Sequence, residues 1–352
     1  MIVDDELLSV RAAELYYDED KTQDEIGAIL GLTRWKVGRL LASAKQRGFI
    51  RIEIVHPRAR RLGLERALVE RFGLGDAVVV PVADAVDDAE VLDRVAAAAA
   101  DHLTSLRPVP RTLAISWGRT LLAVANALSE GWATGVTVVQ MNGGVSVNRR
   151  SGTAAATAIE IARKAGGGAT LLPSPAILER LETKLSIESD RTVAGILDLA
   201  AEADTYLYSA GAASASSAHI ESGYLDAEDM AELVRRGAVG DVVGRYIDAD
   251  GMIVDPALDA RTVGLSLDRL RSARRAIAVV SGRDKVPVAR AVVASGLCTA
   301  LVTDEATANA LLDLPSTPRP RISRPDLSSP DISSPNSSHI PLPHTARRRT
   351  AT

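Results

Sequence analysis

The chain has 352 residues, 46% of them apolar, and a formal net charge of −4, room for two domains and a tail. A single cysteine, Cys298, excludes an internal disulfide, and no apolar run reaches the ~18 residues of a membrane span. The acidic start (Asp4, Asp5, Glu6) lacks the basic-then-apolar plan of a signal peptide, so a cytoplasmic protein with no membrane partner is expected.

Residues 1–56 read as a helical module that ends in a β-like alternation, "FIRIEIV". Thr22 and Glu25 are spaced for a capping box, after which Ile26, Ile29 and Leu30 share a face. Gly27 gives space for a close helix crossing, and Gly31 supplies the positive φ of a tight turn. Thr33 then caps a second helix whose Val37, Leu40 and Leu41 point inward. These offsets are those of a helix-turn-helix. Between Thr33 and Arg61 there are nine Lys or Arg residues against one acid, Glu53, so the second helix and the segment after it form a basic block on an acidic chain. Such a block is either a solvated helix face or an anion-facing surface, and here the module around it points to double-stranded DNA. In this motif the second helix enters the major groove. Arg34, Trp35, Lys36 and Arg39 are therefore the residues expected to meet base edges and phosphates, with Trp35 either in the groove or packed on the first helix. Arg47 and Arg51 are expected close to the DNA backbone on a short hairpin or wing, and the capping residues Thr22 and Thr33 complete the expected DNA-binding set.

Residues 57–73 read as an amphipathic linker helix suited to oligomerisation, with Leu62, Leu64, Leu68, Val69 and Phe72 on its apolar side. From 74 to 314, seven short apolar runs alternate with helical stretches: "AVVVPV", "TLAIS", "VTVVQM", "TLLP", "TYLYS", "AIAVVS" and "TALVT". That alternation predicts an open parallel α/β sheet. Residues 315–352, with "PDLSSPDISSPNSS" and a terminal "RRR", carry no apolar periodicity and read as a disordered tail.

Several strand-to-helix loops are rich in Gly and polar residues. "SWGRT" places Gly118, Arg119 and Thr120 where a helix start, a charge and a hydroxyl can cradle phosphate, although a plain capped turn looks the same. "QMNGG" brings Asn142, Gly143 and Gly144, "YSAG" brings Ser209 and Gly211, and "SGRDK" brings Gly282 and Lys285. In an open parallel sheet all would gather at the carboxyl ends of the strands, with Lys285 as counter-charge to a phosphate. Asp241 and Asp248 either accept sugar hydroxyls or cap turns. One cysteine and five scattered histidines offer no zinc set, so no metal or cofactor is expected. An enzyme is the alternative reading, a phosphosugar isomerase-like or hydrolytic one fused to the DNA-binding module. It would use Asp241, Asp248 or Glu305 as acid or base, or Lys285 as a Schiff-base nucleophile.

Between about residues 7 and 314 the chain resembles the SorC-type sugar-binding transcriptional regulators, relatives of the broader DeoR-like group. The matching stretches are "TQDEIGAILGLTRWKVGRLLASAKQRGFIRIEI", "LERALVERFGLGDAVVVP", "ISWGRTL", "VVQMNGG", "GAVGDVVGRYID" and "LVTDEATANALL". The resemblance implies a non-enzymatic cytoplasmic repressor or activator, a dimer or tetramer. Its winged-helix-like N-terminal domain would precede an effector domain of the phosphosugar isomerase/CoA-transferase fold. A phosphorylated sugar or sugar alcohol bound there would change operator affinity. Carried over by position, Gly118, Arg119, Thr120, Gly211 and Lys285 lie on the phosphate side, and Asp241 lies near the sugar hydroxyls.

Overall fold

A computed structural model describes residues 2–50, 60–82, 87–144 and 154–313. The N-terminal helices are α1 (Ile2–Tyr17), α2 (Gln23–Leu30) and α3 (Arg34–Gln46). The expected caps are present. Thr22 Oγ1 accepts from Glu25 N at 3.3 Å while Thr22 N donates to Glu25 Oε2 at 2.8 Å. Thr33 Oγ1 accepts from Lys36 N at 3.3 Å. Gly31 is left-handed, with φ 69°, and a Cβ on Gly27 would lie 2.7 Å from the Leu32 carbonyl oxygen. The three helices share one core of Ala12, Leu15, Ile26, Val37, Leu40 and Ala44. Ile29 departs from the expected inward face: it is 54% exposed, because an eight-residue helix turns only Ile26 fully onto the shared core. Of the expected wing, residues 47–50 carry no strand and the rest lies outside the described residues, as does the tail.

The next elements are α4 (Leu62–Phe72), β1 (Asp76–Val80), α5 (Asp88–Ser105), β2 (Thr112–Ile115), α6 (Arg119–Ala127), β3 (Thr137–Gln140), α7 (Ala154–Lys164) and β4 (Ala169–Thr170). After them come α8 (Leu181–Glu188), α9 (Arg191–Ala201), β5 (Thr205–Tyr208), β6 (Ala210–Ala212), α10 (Ala218–Glu221), α11 (Ala227–Arg235), β7 (Gly240–Val242) and β8 (Arg245–Ile247). The chain continues through α12 (Pro256–Arg261), α13 (Leu267–Arg271), β9 (Ala276–Val279), α14 (Val286–Ala294), β10 (Ala300–Asp304) and α15 (Glu305–Asp313). Six of the seven apolar runs supply strands of one parallel sheet, in the order β1-β10-β9-β5-β2-β3-β4, while "TLLP" overlaps the two-residue β4 only at Thr170. Its strands are apolar on both sides because side chains alternate between two cores. Val79, Ala114, Val139, Tyr206, Ala278 and Leu301 face one core, shared with α4, α14 and α15. Val78, Ile115, Val138, Leu207, Ile277 and Val302 face the other, shared with α5, α6 and α7. A second, antiparallel sheet, β6-β7-β8, was not legible in the sequence, since strands of three residues are too short to show a period.

The linker helix α4 packs Leu68 into the first core, with Leu64, Val69 and Phe72 beside it, whereas Leu62 is exposed. It also covers the sheet's edge strand. Glu65 Oε1 accepts from Val79 N at 2.9 Å, Arg61 N donates to Val79 O at 2.9 Å, and Arg60 pairs with the Glu65 carboxylate at 2.7 Å. Edge groups on β1 that would otherwise invite another strand are thus occupied. No helix among the described residues is long and apolar enough to cross a membrane.

Candidate functional site

Strand connectivity marks where a ligand belongs. From β2 the chain moves outward to β3 and β4, whereas from β5 it moves the other way to β9 and β10, and β2 pairs with β5. The loops beyond the carboxyl ends of these two strands therefore diverge, opening the crevice at which such sheets bind ligands. The expected effector-side residues Gly118, Arg119, Thr120, Ser209 and Gly211 all lie on these two loops or the elements they open into.

Helix α6 starts at Arg119, with Gly118 (φ 132°) as its N-cap and no side-chain capping hydrogen bond. Its first N–H groups and positive dipole end face the loop region, Arg119 is exposed, and Thr120 is buried. The opposite end of α6 is closed by Lys164. Its ammonium donates to the carbonyls of Ala125 (2.9 Å), Asn126 (2.9 Å) and Leu128 (2.7 Å).

Lys285 ends a short 3-10 turn, Arg283–Lys285, ahead of α14. That turn is held by Asp304, a buried residue of the "LVTD" stretch, whose carboxylate accepts from Gly282 N (3.0 Å), Thr307 N (2.8 Å) and Thr307 Oγ1 (2.6 Å). Burial holds the Lys285 ammonium below the usual lysine range; the Asp241 carboxylate opposes that shift and the Arg119 guanidinium adds to it. Residues from three distant stretches therefore share one electrostatic neighbourhood, with two cations and one carboxylate. Asp241 reaches it across β6: Gly211 is its register partner, and a Cβ on Gly211 would collide with Asp241 Oδ1. Asp241 Oδ2 also accepts from Gly244 N at 3.0 Å. Asp248 takes the turn-capping alternative, accepting from Asp250 N (3.0 Å) and Met252 N (2.9 Å).

The "NGG" loop serves a different purpose from the one expected. Gly143 N donates to Val263 O at 3.0 Å and Gly144 N to Ser174 O at 2.9 Å, so neither amide is free to cradle an anion. A Cβ on Gly143 would collide with the Pro175 carbonyl, which is why glycine sits there. The Gly143 carbonyl anchors the Trp117 indole N–H at 2.7 Å. Asn142 is 2% exposed, and its Oδ1 is buried without a hydrogen-bond partner among the described residues.

Sequence reasoning missed His219. It is 2% exposed, meets Trp117 edge to face with 5.7 Å between ring centroids, and shares a 3.0 Å hydrogen bond between Nδ1 and Tyr246 Oη. Its contacts come from residues 102 and 27 positions away in the chain, so no local spacing announces it.

A cleft of about 410 Å³ that includes Lys184, Glu188, Asp198, Arg245 and Asp259 is a poorer place for an anion. Lys184 pairs with Glu188 at 3.0 Å, and Arg245 is engaged by Asp259 and by the Leu265 and Gly264 carbonyls, both at 2.8 Å.

On α3, Arg34, Trp35 and Arg39 are exposed, Trp35 to 86%, which removes the option that the indole packs on the first helix. Lys36 is half-buried, Arg47 lies exposed just past the helix with its guanidinium 5.3 Å from the Phe49 ring centroid, and Arg51 lies outside the described residues. Acids folded back from α1 and α2 meet several of these cations: Asp24 with Arg34 at 3.5 Å, Asp5 with Lys36 at 3.1 Å, and Glu6 with Arg47. The basic block is thus less isolated than its linear count implied.

A family model described as a putative sugar-binding domain matches residues 56–313. The deoxyribonucleoside regulator of Bacillus subtilis is 30% identical over 306 residues, covering 87% of this chain and 97% of that protein. The erythritol catabolism regulatory protein EryD of Brucella abortus is 28% identical, covering 89% and 98%. Among solved structures, the full-length sorbitol operon regulator SorC from Klebsiella pneumoniae aligns with a TM-score of 0.67 at 27% identity, over 87% of this chain and 98% of that one. The chain belongs to the SorC/DeoR family of transcriptional regulators with a sugar-binding domain.

Proposed function

We propose that the protein binds operator DNA as an oligomer through α3, and that a phosphorylated sugar or sugar alcohol held at the β2/β5 crevice sets its operator affinity. The observation that carries the reading is that Lys285 interacts electrostatically both with Arg119, the first residue of α6, and with Asp241, which is itself packed against Gly211. Two cations and a helix dipole match a phosphate dianion, and a carboxylate matches hydroxyls. The relatives named above extend the argument, because their names tie them to deoxyribonucleosides, erythritol and a sorbitol operon. Residues 1–56 serve as the DNA-binding part, 57–73 as the linker and 74–314 as the effector-binding part, all in the cytoplasm. Effector binding acts only through its difference in affinity for the two subunit arrangements; about 1.4 kcal/mol suffices for a tenfold change in operator affinity.

The test is fluorescence anisotropy on a duplex from upstream of the protein's own gene, titrated with sugar and polyol phosphates. At least one is expected to shift operator affinity tenfold or more. A duplex that never binds at low salt, or binding that no phosphate alters, would overturn the reading.

A second reading rests on Lys285 itself. Burial leaves more of it as free amine, the form that attacks an open-chain carbonyl to give an imine and release water. Borohydride trapping of a sugar phosphate on Lys285, or turnover by the purified protein, would favour it.

A further inference from the structure

Three buried groups stand in a row beside Asp241. Tyr246 is its register partner on β8, so the two side chains share one face of the small sheet. The Tyr246 hydroxyl lies 3.0 Å from His219 Nδ1 and 3.3 Å from Ser217 Oγ, and Ser217 Oγ also accepts from His219 N at 3.3 Å. The other imidazole nitrogen, Nε2, is buried and has no hydrogen-bond partner among the described residues. Its surroundings are those of the crevice. A Cβ on Gly244, whose amide binds Asp241, would lie 3.7 Å from Nε2, and the His219 ring packs on Trp117, the residue before Gly118.

We propose that His219 is a specificity-determining residue of the effector site, its Nε2 hydrogen-bonding a hydroxyl of the ligand's carbon chain away from the phosphate. This inference rests on the effector-site reading above. Hydrogen-bond accounting selects the hydroxyl. If Tyr246 donates to Nδ1, then Nε2 carries a proton and needs an acceptor; if Tyr246 accepts from Nδ1 and donates to Ser217, Nε2 needs a donor. A ligand hydroxyl serves either tautomer. A methylene serves neither, and a phosphate oxygen without a proton serves only the first. The His219 position therefore favours a polyhydroxylated phosphate over a deoxygenated one.

The test is calorimetric titration of the full chain with inorganic phosphate and with four- to six-carbon sugar and polyol phosphates. Wild type is expected to bind at least one organic phosphate more tightly than inorganic phosphate. His219→Asn keeps a polar group near Nδ1 for Tyr246 but removes Nε2. It should retain inorganic phosphate affinity, which shows an intact site, and lose about tenfold or more of the organic gain. His219→Gln, with an amide near the Nε2 position, should recover part of it. If His219→Asn keeps the full gain, or wild type prefers no organic phosphate, the assignment to His219 is wrong while the phosphate site stands. If wild type binds neither, the effector-site reading falls with it.

Discussion

In the proposed effector site, Lys285 carries a conflict between folding and function. Its ammonium is disfavoured by burial and by Arg119, and favoured by Asp241, with the balance towards a lowered pKa. A folded-state pKa below the ordinary lysine value means the native protein releases this proton before the unfolded chain does. Stability should therefore rise with pH between the lowered value and 10.5. Lys285→Met should raise the ligand-free melting temperature at neutral pH and flatten that rise, while abolishing phosphate binding; calorimetry at several pH values checks both. A bound phosphate dianion would restore the ammonium, so its affinity should fall as pH climbs through the same window. Gly211 makes a second case. A methyl group there displaces Asp241, so Gly211→Ala should weaken organic phosphate binding about tenfold while inorganic phosphate binding changes little, read by titration. Lys285 was legible as a residue of the turn after a strand, whereas Gly211, read as a loop residue, lies within β6. His219 was not legible, because its meaning lies in Trp117 and Tyr246, which only the folded chain brings to it.

At the scale of elements, α6 is organised end to end. Its N-terminus opens on the crevice and its C-terminal carbonyls are gathered by the buried Lys164 ammonium. Lys164→Met should destabilise the protein by about 2 kcal/mol, since charge-assisted bonds to carbonyls are worth about 1.5–3 kcal/mol each and some are replaced by water. Denaturant unfolding measures this, and an unchanged midpoint would contradict the role. The elements themselves were largely readable: short apolar runs marked six of the seven strands and touched β4 only at Thr170, and the Thr22–Glu25 and Gly31–Thr33 signals marked the helix pair. Hairpin β7–β8 was hidden because its turn places Val243 at φ 49°, a conformation β-branched residues avoid. The "NGG" loop misled for the opposite reason. Its glycines signal a close backbone approach, and the approaching group is the chain's own Pro175 carbonyl.

Across the whole molecule, charge divides into an acidic body and a basic helix face that its own acids partly cover. Among residues 2–50, nine acids outnumber seven Lys and Arg residues, so attraction to DNA depends on how α3 presents its cations rather than on net charge. Exposed ion pairs are worth little, so phosphates should displace Asp24 from Arg34 at small cost. Asp24→Asn should accordingly tighten operator binding by no more than a few-fold. The account requires two separable functions in one chain, and one anisotropy series on the upstream duplex, with and without an active sugar phosphate, measures both. Arg34→Ala with Arg39→Ala should weaken binding at least tenfold and lower the salt slope by about two, one per lost phosphate contact. Lys285→Met should bind DNA as wild type does and ignore the effector. DNA affinity unchanged in the arginine variant, or a full effector response in Lys285→Met, would contradict the central claim.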